Sequence, residues 1–111
     1  MTSNYKLSIC IPTYNRAAYI GETLASIISQ SGDDIEIVIV DGASTDNTAD
    51  GVNEFQGRSE NIHYHREKQN NGIDADLAKS IALAQGEYCW LMSSDDILVA
   101  GAIQRILTEI K

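Results

Sequence analysis

Ile35-Glu-Ile-Val-Ile-Val40, followed by Asp41-Gly-Ala-Ser-Thr-Asp46, is the stretch on which the fold turns. Five of the six residues in the run are β-branched, which favours an extended strand, and near-continuous apolarity suits a strand covered on both faces. Asp41 closes the run, and Ser44, Thr45 and Asp46 are side chains that open helices by accepting hydrogen bonds from the first turn. Strand, polar loop and helix start therefore follow one another within a dozen residues. The same order recurs on either side. Leu7-Ser-Ile-Cys-Ile11 precedes Pro12-Thr-Tyr-Asn15, Ile62-His-Tyr-His-Arg66 precedes Glu67-Lys-Gln-Asn-Asn-Gly72, and Glu87-Tyr-Cys-Trp-Leu-Met92 precedes Ser93-Ser-Asp-Asp96.

Helical periodicity fills the intervals. Ile20, Leu24, Ile27 and Ile28 form one buried stripe. Ala49, Val52 and Phe55 follow Asp46-Asn47-Thr48, which suits an N-cap. Leu77, Ile81 and Ala84 mark a third helix, with Gly86 at its C-cap. Val99, Ile103, Ile106, Leu107 and Ile110 mark a fourth, expected to start near Ile97 or Leu98. The order β-α-β-α-β-α-β-α calls for an α/β fold: a mainly parallel four-stranded sheet with right-handed crossovers and helices on both faces. His63 and His65 suit a half-exposed edge strand. Ligands of such sheets bind outside the carboxyl ends of the strands, which is where the polar loops fall.

Composition narrows the class. A chain of 111 residues is expected to form a single domain over 1–111, and 43% hydrophobic with 22% charged residues is ordinary globular composition. Sixteen acidic against eight basic residues, a formal charge of −8, argue against nucleic acid as a partner. No apolar run is long enough for a transmembrane segment. The start, Met1-Thr-Ser-Asn-Tyr-Lys6, lacks a signal peptide's features, and Cys10 and Cys89, each in an apolar run, read as buried thiols. A cytoplasmic protein is the expectation.

The loops carry chemistry with more than one meaning. Asp95 and Asp96 repel each other unless a cation or donors offset them; they either hold a divalent ion or cap the next helix. Asp41 either faces a ligand or closes a capped turn. Tyr14 can stack on a base or pack on the following helix, and Thr13 and Asn15 can bond a ribose or cap that helix. His63 and His65 lack a third ligand and read as solvated edge residues. There is no G-x-G-x-x-G after the first strand and no G-x-x-x-x-G-K-[ST], which sets aside dinucleotide dehydrogenases and P-loop enzymes.

Together these loops resemble those of an inverting family 2 glycosyltransferase with the GT-A fold. Ser8-Ile-Cys-Ile-Pro-Thr-Tyr-Asn-Arg16 with Tyr19-Ile20 is similar to the family's opening strand and helix. Val40-Asp-Gly-Ala-Ser-Thr-Asp-Asn-Thr48 is similar to its Val-Asp-Asp-Gly-Ser-x-Asp-x-Thr, and Asn70-Asn-Gly72 with Ala84-Gln-Gly-Glu-Tyr88 to its Asn-x-Gly and Ala-x-Gly-Glu-Tyr. Ser93-Ser-Asp-Asp96 resembles its Asp-x-Asp-type metal site, and Ile97 to Ile110 its following helix. The resemblance implies a nucleotide-diphosphate sugar as ligand. It places Pro12, Thr13, Tyr14, Asn15, Asp41, Gly42 and Asp95 around the nucleotide, and Asp96 on Mn²⁺ or Mg²⁺. It implies cell-envelope polysaccharide synthesis, in the cytoplasm or at the inner face of the membrane.

Three features depart from the pattern. The first of these departures is Gly42, which stands where the family has a second Asp that reads the N3–H of uracil, and this makes cytosine admissible. Leu77 and Ala78 replace an Arg-Asn pair, and Ser94 replaces the first Asp of the metal motif. The Cys89-Trp90 strand and its Ser-Asp-Asp ending are similar to abequosyltransferase-like members, which use a CDP-dideoxyhexose. Family members also continue well past this length. The chain is therefore expected to be a fragment that is truncated relative to full-length members and inactive alone. The general base and the contacts to a saccharide or lipid-linked acceptor would lie in the missing C-terminal part, and bared apolar surface would favour self-association. Two other classes compete. A sugar nucleotidyltransferase would carry a Gly-rich basic loop where Pro12-Thr-Tyr-Asn-Arg16 stands, and a non-catalytic metal-dependent binding module would carry serine in place of Ala43.

Overall fold

A computed structural model describes residues 5–110. Met1 to Asn4, on which part of the signal-peptide reading rests, and Lys111 lie outside the described residues. Four strands, β1 (Leu7–Thr13), β2 (Ile35–Asp41), β3 (Ile62–Arg66) and β4 (Tyr88–Leu91), alternate with α1 (Ala17–Ile28), α2 (Thr48–Gln56), α3 (Ile73–Leu83) and α4 (Ala102–Glu109). The sheet order is β3-β2-β1-β4 and every pairing is parallel. The register sets Thr13 beside Asp41 and Asp41 beside Arg66, so the strand ends meet at one edge.

The two faces of the sheet differ in chemistry. Side chains of successive residues alternate; Leu7, Ile9 and Ile11 of β1 and Ile35, Ile37 and Ile39 of β2 join one cluster with Ile20, Leu24, Val52 and Ile103. These strand residues are no more than 1% exposed, and each contributes about 1.5–3 kcal/mol by leaving water. The opposite face carries Ser8, Cys10 and Glu36 toward α3 and the turn after it. The Cys10 thiol lies 3.7 Å from the Ser80 carbonyl, and burial, with Cys89 beside it, pushes that thiol up to about 12. Glu36 accepts from the Ser8 hydroxyl at 2.6 Å and from the Gln85 N–H at 2.8 Å.

That polar face overturns several expectations. Helix α3 buries Asp76 and Ser80, while Ile81 is 42% exposed, so the stripe Leu77-Ile81-Ala84 is not its inner face. Gly86 is not the C-cap, which is Ala84. Its role is close approach: a Cβ there would meet the Ser8 amide nitrogen at 2.8 Å. Cys89 is exposed rather than core, because β4 is the sheet's edge and lacks a neighbour on one side. His63 and His65 are half-exposed on the other edge, as expected.

The last helix starts later than its periodicity implies, at Ala102 rather than near Ile97 or Leu98. Side chains of α1 hold the preceding segment in a non-helical path. Thr23 Oγ1 donates to the Ser94 carbonyl (2.9 Å), Ser26 Oγ accepts from the Leu98 N–H (3.0 Å), and Gln30 donates to the Val99 carbonyl (2.9 Å). Backbone groups satisfied in this way have no need of a helix. Asp95 and Asp96 therefore cap nothing.

Candidate functional site

The loops after β1 and β2 are tied to each other. Asn15 Oδ1 accepts from the Thr45 N–H (2.8 Å), and Ser44 Oγ accepts from the Asn15 N–H (2.8 Å). Asp46 extends the tie. One oxygen accepts from the Thr48 N–H at 3.0 Å, and the other accepts from the Ala17 N–H at 3.2 Å. A single carboxylate thus serves the starts of two helices. Partial desolvation opposes its ionised form, but the Thr48 and Ala17 donors prevail and hold its carboxyl below the usual range.

Asp41 is fully buried beneath this pair of loops. Its Oδ1 accepts from the Ser44 N–H (2.9 Å) and hydroxyl (2.7 Å), and its Oδ2 from the Tyr64 hydroxyl (2.5 Å). Burial and the adjoining Asp41 carboxylate raise the Tyr64 phenol above its ordinary value, so it stays a donor. Asn15 and Ala43 both take left-handed backbone, φ 52° and 67°, which brings the Ser44 donors round to Asp41. For Ala43 that conformation costs about 1–2 kcal/mol.

A cleft of about 510 Å³ opens at the carboxyl ends of β1 and β4. Pro12, Thr13, Tyr14 and Arg16 form one wall, and Leu91, Met92, Ser93 and Ser94 another. The start of α3 closes it with Ile73, Asp74, Asp76 and Leu77. Arg16 is the one cation among these lining residues, and Leu77 presents an alkyl group. Two buried polar atoms of this lining lack a hydrogen-bond partner, Thr13 Oγ1 and Asp76 Oδ1. Burial, then the charges of Glu67 and Asp41, raise the Asp76 carboxyl above its ordinary value.

Beyond Ser94 the chain turns sharply, with the Asp96 N–H donating to the Ser93 carbonyl (3.3 Å). Asp95 and Asp96 are exposed on this turn. The Ser93 hydroxyl donates to Asp95 at 2.6 Å and, with help from Arg16, holds its carboxyl below the usual range. Among the described residues no group of three or more His, Cys, Asp or Glu side chains converges as a cation cage. Two exposed carboxylates fit a different arrangement, in which a hard divalent ion takes one or two of them and completes its shell with water and phosphate oxygens.

The sequence of residues 8–111 matches the family description Glycosyl transferase family 2. The chain belongs to this family. It is 41% identical over 105 residues to abequosyltransferase RfbV of Salmonella typhimurium, covering 92% of this chain and 32% of that protein. Among solved structures it superposes on S. aureus TarS 1-349 in complex with UDP-GlcNAc with a TM-score of 0.88 at 29% identity, over 95% of this chain and 31% of the other. It also superposes on the mannosyltransferase PcManGT of Pyrobaculum calidifontis, in complex with GDP-Man and Mn²⁺. The TM-score there is 0.79 at 28% identity, over 89% and 30% of the two chains. The fold is thus GT-A, and the chain spans 32% of the length of RfbV and 38% of that of the putative teichuronic acid biosynthesis glycosyltransferase TuaG of Bacillus subtilis.

Within the family 2 frame, the structure gathers some predicted residues and separates others. Pro12, Thr13 and Tyr14 line the cleft, and Tyr14 is 41% exposed there. Asn15 and Asp41 instead shape the loops behind it, and Gly42 lies against two of its lining residues, Asp76 and Asn70. Asp95 and Asp96 lie next in sequence to its lining. Sequence reasoning missed Asp76 as a site residue. The available signal was an acidic residue four positions before Ser80, an unusual pair for the inner face of a helix.

Proposed function

We propose that this chain is the donor-binding part of an inverting glycosyltransferase of cell-envelope polysaccharide synthesis, transferring a sugar from a nucleoside diphosphate to an acceptor hydroxyl. The observation that carries the proposal is the cleft between the Pro12–Tyr14 wall and the Ser93–Ser94 wall, at the strand ends of a family 2 chain. A largely apolar cleft with a few polar atoms suits a nucleoside. Tyr14 and Pro12 offer it flat apolar contact.

The carboxylates that follow its lining in sequence, Asp95 and Asp96, suit the other end of the donor. Diphosphate would be repelled by Asp95 and Asp96 unless a cation lay between, so Asp96, with Asp95, would hold Mn²⁺ or Mg²⁺ there. Bound there, such an ion would supply positive charge to a departing diphosphate without proton transfer. Arg16 adds a fixed positive charge in the cleft wall. The acceptor hydroxyl attacks the anomeric carbon from the opposite face, with its proton taken by a base that we assign to the part of such an enzyme beyond this chain.

Calorimetric titration with UDP, CDP, GDP and dTDP, with and without Mn²⁺, tests the proposal. One nucleotide should bind only with metal, and Asp96→Ala should lower that affinity at least tenfold. A folded chain that binds none of the four with Mn²⁺ present would refute it.

A further inference from the structure

Residue 42 and helix α3 compete for one volume. Gly42 has no side chain, and the space where its Cβ would stand lies 2.6 Å from Asp76 Oδ2. A carboxylate thus occupies, from α3, the place a side chain at 42 would otherwise fill. Asp76 is 3% exposed and its other oxygen, Oδ1, has no partner, although buried polar groups are nearly always satisfied. Among the described residues no cation forms an ion pair with it: Lys79, whose charge offsets it only in part, pairs with Glu67 at 2.8 Å. A second orphan, Thr13 Oγ1, lines the same cleft. An unpaired buried carboxylate is costly in the free protein, and a ligand that donates to it removes that cost.

We infer that Asp76 is a specificity-determining residue of the donor site, accepting a hydrogen bond from an N–H of the nucleobase, with Thr13 beside it. This rests on the proposed nucleotide-sugar function. A carboxylate is an acceptor only, so it selects a base edge that presents a donor: a ring N–H such as N3–H of uracil, or an exocyclic amino group such as that of cytosine. Gly42 offers no side-chain acceptor, and Asp76 brings one to the same place from another element, so uridine and cytidine nucleotides are both admissible. Asp74 and Asp76 disfavour phosphate at this end of the cleft, whereas Arg16 is the one cation of its lining, so the base lies toward α3 and the diphosphate toward Arg16.

The test is titration of the parent chain, Asp76→Asn and Gly42→Ala with UDP, CDP and inorganic pyrophosphate, all with Mn²⁺, after circular dichroism confirms that each variant is folded. Asp76→Asn should weaken the preferred nucleotide at least tenfold while changing pyrophosphate affinity less than twofold. Gly42→Ala, which displaces Asp76, should weaken the same nucleotide. A loss confined to UDP identifies the ring N–H as the donor, and one confined to CDP identifies the amino group. Equal nucleotide affinity in parent and Asp76→Asn overturns the inference alone, as does a parallel loss of nucleotide and pyrophosphate. A parent chain that binds no nucleotide overturns the proposed function as well.

Discussion

Gly42 and Asp76 interlock: a Cβ on residue 42 would stand 2.6 Å from Asp76 Oδ2, closer than real side chains approach. The contact joins the loop after β2 to the first turns of α3, across one wall of the cleft.

Gly42→Ala should destabilise the chain by about 1–3 kcal/mol through overpacking. The obstacle is a side-chain tip rather than backbone, so the double variant Gly42→Ala/Asp76→Ser should recover most of the loss. Urea denaturation of the two single variants and the double one measures the coupling. Additive effects would show that the two residues do not compete for the same space.

Asp76→Asn should stabilise the free chain at neutral pH by about 1–2 kcal/mol, since it removes an unpartnered buried charge. The sign follows from the raised carboxyl: folding favours the protonated form, so the contribution of Asp76 is complete at acid pH and is lost as pH rises through its folded-state value. The gain over the parent should therefore grow from about zero near pH 3, below the ordinary carboxylate value of about 3.9, to its full size at pH 7. Denaturation curves at several pH values provide the check. A gain independent of pH would show that the charge is not its source.

Gly86→Ala should cost more than Gly42→Ala and should resist rescue. Its Cβ would meet Ser8 Oγ at 2.6 Å, but also the Ser8 nitrogen at 2.8 Å and the Leu7 carbonyl carbon at 3.0 Å, which belong to the backbone of β1. We expect a loss of about 3 kcal/mol or more, at the upper end for overpacking. Adding Ser8→Ala should recover little, because the main chain still blocks the way. Thermal melting of both variants is sufficient to decide.

Thr23→Val should loosen the loop that carries the acidic pair. It keeps the shape of a fully buried side chain but strands the Ser94 carbonyl, at a cost of about 1–3 kcal/mol. Amide hydrogen exchange should quicken over residues 94–98 and stay slow in β1 and β2. If Asp96 sits on the donor's metal, this variant should also weaken Mn²⁺-dependent nucleotide binding, with Asp96 itself intact.

Much of the architecture follows from local pattern. The β-branched runs at Leu7–Ile11 and Ile35–Val40 define the two central strands, and the polar Ile62–Arg66 run marks an edge. Their alternation with the Ile20–Leu24–Ile27 stripe leaves a parallel sheet as the one arrangement that buries them all, and its topology puts the loops after the strands at one edge. The motifs in those loops then carry the family. Such features are legible because each depends on residues a few positions apart, whose spacing is fixed by the period of a strand or a helix.

Tertiary structure decided the rest. It set Asp76 against Gly42, 34 positions away in the chain, and Gly86 against Ser8. It turned Asn15 and Asp41 to the support of loops, and let α1 delay the last helix to Ala102. It also gave α3 a polar inner face, which its apolar periodicity contradicts. The physical reason is common to all of these. Burial of a polar group depends on whether a partner or a ligand waits across the fold, and the strength of that compensation depends on distances set by packing between elements.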